Sequence, residues 1–379
     1  MHFSVLSAFP LPKDIPAAIR NVAVDDVTNF VTRKLCLKSL SEKGNAFPTE
    51  ITPEMIDLER WECFVSNQAA DLLAPYNENT TNIAHMCFDD RTEEGRRAYE
   101  QDCVDCVKTP DGRIISCHNY EFYRHYKLYN GKVCQKSAGQ LHHPKQTKRS
   151  KKYTALPNYP LRKLYPKFDT FMKTYWGCEL DETTGCYGYY INPNGQWDWW
   201  QIGGRWPFQF LVKDDCTSAA IGELSSIFDG EPPCDAPEGY HWVAGARKGD
   251  IAWDMMREFI RGKHTEQFLL YQAWFAAGEI PPEHAGSTTI TQDGIVSWGQ
   301  HLYYREESLE HYLYRLGLSD QHLYPVPAFA CVDAGGWNDQ GWGTSDSSED
   351  DAQAWFKAVD DFIAKQPDEA LLVSVDCHT

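Results

Sequence analysis

The chain predicts an α+β fold: a mixed or antiparallel sheet built from hairpins, packed by helices, plus a largely helical insertion. Three observations carry this expectation. Short runs rich in β-formers flank turn sequences, above all Pro110-Asp111-Gly112 and Asn192-Pro193-Asn194-Gly195. Apolar residues at helical spacing fill Val24–Leu40, Thr52–Leu73 and Asp350–Lys365. The two chain ends, Phe3–Ala8 and Leu371–Asp376, are β-rich runs that need anchoring and belong in one sheet.

In chain order, a first strand precedes the helices Val24–Leu40 and Thr52–Leu73, which stop at the Pro75-containing loop Leu73–Asn79. Cys103–Thr109 and Arg113–Cys117 form a hairpin about Pro110-Asp111-Gly112. Residues 135–160 are polar and basic, with Pro144, Pro157 and Pro160, and read as an exposed loop. Leu164, Phe168, Phe171 and Met172 place a helix over Leu161–Trp176. Cys186–Ile191 and Gln196–Ile202 make a second hairpin, and Arg205–Lys213 a third strand after Gly203-Gly204. Residues 214–324 read as largely helical, around Ile251–Ala277 and Glu307–Leu316. Ala328–Asp333, a helix and Ala370–Asp376 close the chain. The expected division is therefore a core over 1–213, an insertion over 214–324, and a strand–helix–strand return over 325–379.

A chain of 379 residues with 42% hydrophobic and 24% charged residues can bury a large core, which excludes wholesale disorder. No apolar run approaches the ~20 residues of a membrane span. The N-terminus lacks the basic start and cleavage site of a signal peptide. Thirteen cysteines then imply free thiols in a reducing, cytoplasmic setting. The net charge of −18 is uneven: Arg124–Trp176 holds thirteen Lys or Arg and one acid, so it carries +12 against −30 elsewhere. That segment, with Lys148, Arg149, Lys151 and Lys152, is either solvated surface or a landing site for phosphates or an acidic partner. The acidic remainder argues against long duplex nucleic acid.

Chemistry-bearing residues are densest at Trp197-Asp198-Trp199-Trp200-Gln201-Ile202-Gly203-Gly204-Arg205-Trp206. Alternation puts Trp197, Trp199 and Gln201 on one face and Asp198, Trp200 and Ile202 on the other. The double glycine suggests a bend across which Arg205 reaches Asp198, as a structural ion pair or as an anion fork beside stacking indoles such as Trp206. Near the C-terminus, Asp376 and His378 share a strand face, so Asp376 can orient His378, while Cys377 points away. Cys103, Cys106, Cys117 and His118 offer a structural zinc set. Against that set, Cys103 and Cys106 fall on opposite strand faces. No other cofactor is predicted, and no P-loop, dinucleotide fingerprint, HExxH or G-x-S-x-G occurs.

Tyr190–Trp206 resembles the signature of a family of phage- and prophage-encoded proteins of unassigned activity, which read NPN-x-x-WDW-x-x-x-GGRW. The likeness extends to the HFSVL start, LAPYNEN, PDGRIIS at 110–116, LYPKFDTFM at 164–172, Lys248–Ile251 and the closing Val375-Asp376-Cys377-His378. Pro207-Phe208 stands where the pattern leads one to expect a small residue and glycine. The resemblance implies an accessory protein in the bacterial cytoplasm, directed at a host or rival system. It would bind a protein or sequester a nucleotide-like ligand. The alternative is an enzyme acting on a phosphorylated or nucleotide substrate with Asp198, Arg205, Asp376 and His378. Convergence of these four in one cleft separates a chemical site from a protein-binding role.

Overall fold

The computed structural model describes residues 1–12, 15–41, 53–136, 144–222, 232–298, 300–341 and 348–379. Its helices and mostly antiparallel, hairpin-built sheets make an α+β protein. Two compact units divide the chain: Met1–Glu78 with Asn194–Thr379, and Asn79–Pro193.

In the first unit the N-terminal strand, His2–Pro10, runs antiparallel to the C-terminal strand, Ala370–His378. They pair over their full lengths, from His2 opposite His378 to Pro10 opposite Ala370. The expected union of the two chain ends in one sheet is therefore realised. The N-terminal strand also pairs in parallel with Ala330–Asp333, which turns back onto Gly336–Asp339. Along the outer edge of the C-terminal strand lie two short strands in succession, Trp199–Ile202 and Gly245–Arg247.

Alternation sends Phe3, Val5, Phe9, Val373, Val375 and Cys377 to one face, packed with Phe64, Val65, Ala69 and Leu73 of helix Pro53–Leu73. Leu6, Ala8 and Leu372 join the opposite core with Met256, Ile260 and Phe268 of helix Trp253–Ala277. Val359, Phe362 and Ile363 of helix Glu349–Lys365 belong to the same core. A capping box between Ser348 and Asp351 starts that helix. Helices thus cover both faces of the middle of the sheet. Toward the His2/His378 end the second face turns polar, with His2, Ser4, Ser374, Asp376 and His378 in register.

The second unit contains the predicted hairpin, Cys103–Lys108 with Ile114–Ser116. Its cores gather Leu161, Phe171, Met172 and Cys178, and separately Val107, Phe122 and Val133.

Several expectations are corrected. The Cys186–Ile191/Gln196–Ile202 hairpin does not form. Cys186–Ile191 pairs with Cys87–Asp90 and Glu179–Asp181, whereas Trp199–Ile202 pairs with the C-terminal strand. Gly195 does not take the positive φ that a tight Asn-Gly turn needs, and the unit boundary falls at Pro193/Asn194. The segregated segment is accordingly 79–193, not 214–324. The latter supplies the sheet strand Gly245–Arg247 and a three-stranded sheet over 288–304, alongside its helices. Only Phe210–Lys213 of the third predicted strand is extended into a ladder, pairing with Tyr240–Val243. The exposed loop 135–160 ends early, because Thr154–Pro160 pairs with Cys103–Lys108. Pro157 is tolerated there because the register shifts beside it, and Asn158 takes φ 50°. Pro166 splits the Leu161–Trp176 helix into Leu161–Leu164 and Phe168–Thr174. Thr52 and residues 137–143 lie outside the described residues.

Candidate functional site

The polar end of the sheet holds two histidine–carboxylate pairs. His2 Nδ1 lies 2.9 Å from Asp376 Oδ1, and His378 Nδ1 lies 2.7 Å from Asp198 Oδ1. Register puts the two rings side by side, with centroids 4.9 Å apart. Carboxylates accept, so each Nδ1–H donates and each Nε2 is left as the working nitrogen. Neither Nε2 has a hydrogen bond among the described residues. Asp376 is 1% exposed, and its Oδ2 accepts from the backbone N–H of Arg205 at 3.1 Å.

The double glycine makes this possible. Gly203 and Gly204 adopt φ of +70° and +53°, which swings the chain back over the carboxylate. A Cβ on Gly204 would sit 2.3 Å from Asp376 Cβ and 2.7 Å from Gln201 Nε2. Gln201 is 1% exposed, and both ends of its amide lack a hydrogen-bond partner among the described residues; Ser374 Oγ is in the same state. Such groups cost stability in a core unless water or another molecule serves them.

Asp198, Arg205, Asp376 and His378 therefore converge, though not as the sequence pairs them. Asp198 bonds to His378 rather than to Arg205, and Arg205 reaches the cluster through its backbone. Trp199 is 41% exposed, with its ring edge-on to His2 at 5.8 Å. Trp197 and Trp200 instead enter the core, and Trp197 Nε1 donates to the Leu73 carbonyl. Trp197 is not on the Trp199 face because the strand starts only at Trp199. His2 is the member that sequence reasoning missed. Its signal was present in the pairing of the end strands, and became specific only with the register.

Arg205 and Trp206 also line a cavity of about 400 Å³. Phe208, Ile260, Leu316, Phe356 and Val359 make its walls largely apolar, and Gln209, His264 and His322 add polar groups. Gln209 Oε1 and His264 Nδ1 are buried without a hydrogen bond among the described residues. His322 is held between Asp360 Oδ2 at 3.1 Å and Gln353 Oε1 at 3.0 Å. Burial, and then the charge of Lys263, hold His264 below its ordinary value. The unfolded ring takes up a proton near pH ~6.5, whereas the folded ring resists it until lower pH. Stability should therefore fall as pH drops below that value. His264→Phe is expected to flatten this loss in urea titrations between about pH 7 and 5.

Lys148, Arg149, Lys151 and Lys152 are exposed in the 79–193 unit. The zinc set is not assembled: Cys103 and His118 are exposed, Cys106 is fully buried and Cys117 half-buried. Burial and Asp105 push the Cys106 and Cys117 thiols up to about 11 and about 12. Among the described residues no group of three or more His, Cys, Asp or Glu could hold a metal ion. Comparison of the chain with protein-family models, curated proteins and solved structures gives no match.

Proposed function

We propose that the chain is a phage-derived accessory enzyme of the bacterial cytoplasm that cleaves a phosphate ester of a nucleotide-like ligand at the His2/His378 pair. The observation that carries this reading is the juxtaposition of two carboxylate-oriented imidazoles, 4.9 Å between centroids, with both Nε2 atoms unengaged among the described residues. This is the arrangement needed by a general base and a general acid working on one phosphorus centre. One neutral ring takes a proton from attacking water as the new P–O bond forms. The other, protonated, gives its Nε2 proton to the departing oxygen as the old bond breaks. Trp199 offers a stacking face at the rim. The accessory, host- or defence-directed role rests on the resemblance of Tyr190–Trp206 to phage-encoded proteins. Binding of a host protein without chemistry is the weaker reading, because the four residues converge.

Turnover of bis(4-nitrophenyl) phosphate and of linear and cyclic nucleotides tests the proposal. His378→Ala should lower the rate roughly 10²–10⁴-fold, as loss of a general acid or base does. Its melting temperature should move little, since the ring is 38% exposed. Expression in cells should deplete a phosphodiester from the nucleotide pool with wild type and not with His378→Ala. A wild-type protein inert toward every phosphate ester, or a variant as active as wild type, overturns the reading.

A further inference from the structure

We propose that the cavity beside Arg205 is the seat of a nucleobase, and specifically of one bearing an exocyclic amine. The inference deepens the phosphate-ester reading by naming the other end of the ligand. The cavity volume, about 400 Å³, is in the range of small-molecule sites and exceeds the volume of a purine nucleoside. Its walls are apolar, yet two buried polar atoms, Gln209 Oε1 and His264 Nδ1, meet no protein partner among the described residues. With its proton on Nε2 the His264 ring presents an acceptor there, as the Gln209 carbonyl does. Gln209 is 7% exposed, so the group that meets its carbonyl must come from inside the cavity. An aliphatic or purely hydrocarbon ligand leaves both atoms unpaired. An anion would meet the Gln209 carbonyl, and the one Lys or Arg in the lining, Arg205, stands beside the histidine cluster. A flat heterocycle with N–H donors satisfies both atoms and fills the apolar space.

The placement also suits a single ligand. Arg205 lines the cavity while its backbone N–H holds Asp376 Oδ2. Pro327 lines the cavity while its carbonyl accepts from Ser4 Oγ at 3.2 Å, one strand position away from His2 on the same face. A base in the cavity therefore points its sugar and phosphate toward Arg205 and the two imidazoles.

Calorimetric titration with adenosine and with uridine, neither of which carries a phosphate, tests the cavity apart from the chemistry. Wild type should bind adenosine at least roughly tenfold more tightly than uridine, because the exocyclic amine of adenine has two N–H groups for the two acceptors where uracil has only N3–H. Gln209→Leu should weaken adenosine roughly tenfold or more, and Leu316→Trp, which fills the cavity, should abolish binding. His378→Ala should leave adenosine affinity unchanged. Thermal unfolding confirms that each variant is folded, and Leu316→Trp supplies the test if Gln209→Leu is not. No adenosine binding by wild type, equal affinity for uridine, or full affinity in folded Leu316→Trp overturns the proposal. Ester turnover without nucleoside binding would sink the base pocket alone. Adenosine binding without turnover would sink only the acid–base reading.

Discussion

Gly204→Ala should destabilise the protein by about 2–4 kcal/mol and remove most of the proposed phosphate-ester turnover. The positive φ of +53° costs an alanine about 1 kcal/mol. The larger part comes from space. The new methyl would lie 2.3 Å from Asp376 Cβ and 2.4 Å from its Oδ2, so either the strand or the carboxylate must give way. Overpacking of this kind costs about 1–3 kcal/mol. Displacing Asp376 frees His2, and a misplaced acid or base costs roughly 10²-fold in rate. Gly239→Ala is the matched control: φ is +80°, but a Cβ there meets nothing within 4 Å. It should lose only about 1 kcal/mol and keep its activity. Urea titration of the two variants side by side decides the matter. Equal losses would mean that backbone strain, not the carboxylate behind Gly204, is what the glycine serves.

Asp360→Ala is expected to cost about 3–5 kcal/mol, the largest effect of any single side chain considered. One carboxylate on helix Glu349–Lys365 accepts from His322 Nδ1 and from the backbone N–H groups of Leu323 and Tyr324, all within 3.1 Å. Gln353, a helical turn or two earlier, takes His322 Nε2 and donates to the Tyr314 carbonyl at 2.8 Å. The stretch from Ser319 to Pro327 has no regular secondary structure, so these side chains stand in for a ladder. Removing the carboxylate strands three donors at once. Asp360→Asn keeps one acceptor and should lose less. The same stretch walls the cavity, so adenosine affinity should fall with stability in Asp360→Ala. A variant with wild-type stability would show that the stretch is held by packing alone.

What local pattern can specify was legible. Alternation and β-formers placed the two end strands, helical spacing placed Val24–Ser41, Pro53–Leu73 and Trp253–Ala277, and strand parity put Asp376 and His378 on one face. What depends on partners was not. Trp199–Ile202 carries the same alternation whether it pairs with Cys186–Ile191 or with Ala370–His378, and only the full fold decides. The Asp198–His378 bond follows from that pairing, so the sequence suggested the nearer Arg205 instead. His2 has no neighbour in sequence that marks it as chemical. The unit boundary was misplaced because the prolines and helices after residue 213 drew attention from charge. Counted over the whole sequence, residues 79–193 carry +5 and the rest −23, a contrast that singles out the segregated unit.

The pairing of the chain ends has a consequence for the order in which the protein can be made. His2–Pro10 has two neighbours in its sheet, Ala330–Asp333 and Ala370–His378, and both are translated more than 300 residues after it. Trp199–Ile202 and Gly245–Arg247 likewise wait for the C-terminal strand. At roughly 5–20 residues per second, the apolar first strand spends tens of seconds outside the ribosome with its edges open. Among the described residues the strands of 79–193 pair with one another, so this unit can fold as it emerges. An unpaired apolar strand of this kind is where aggregation of the nascent chain would start. The two imidazoles meet only after His378 has emerged, so a chain without the strand Ala370–His378 lacks the proposed site.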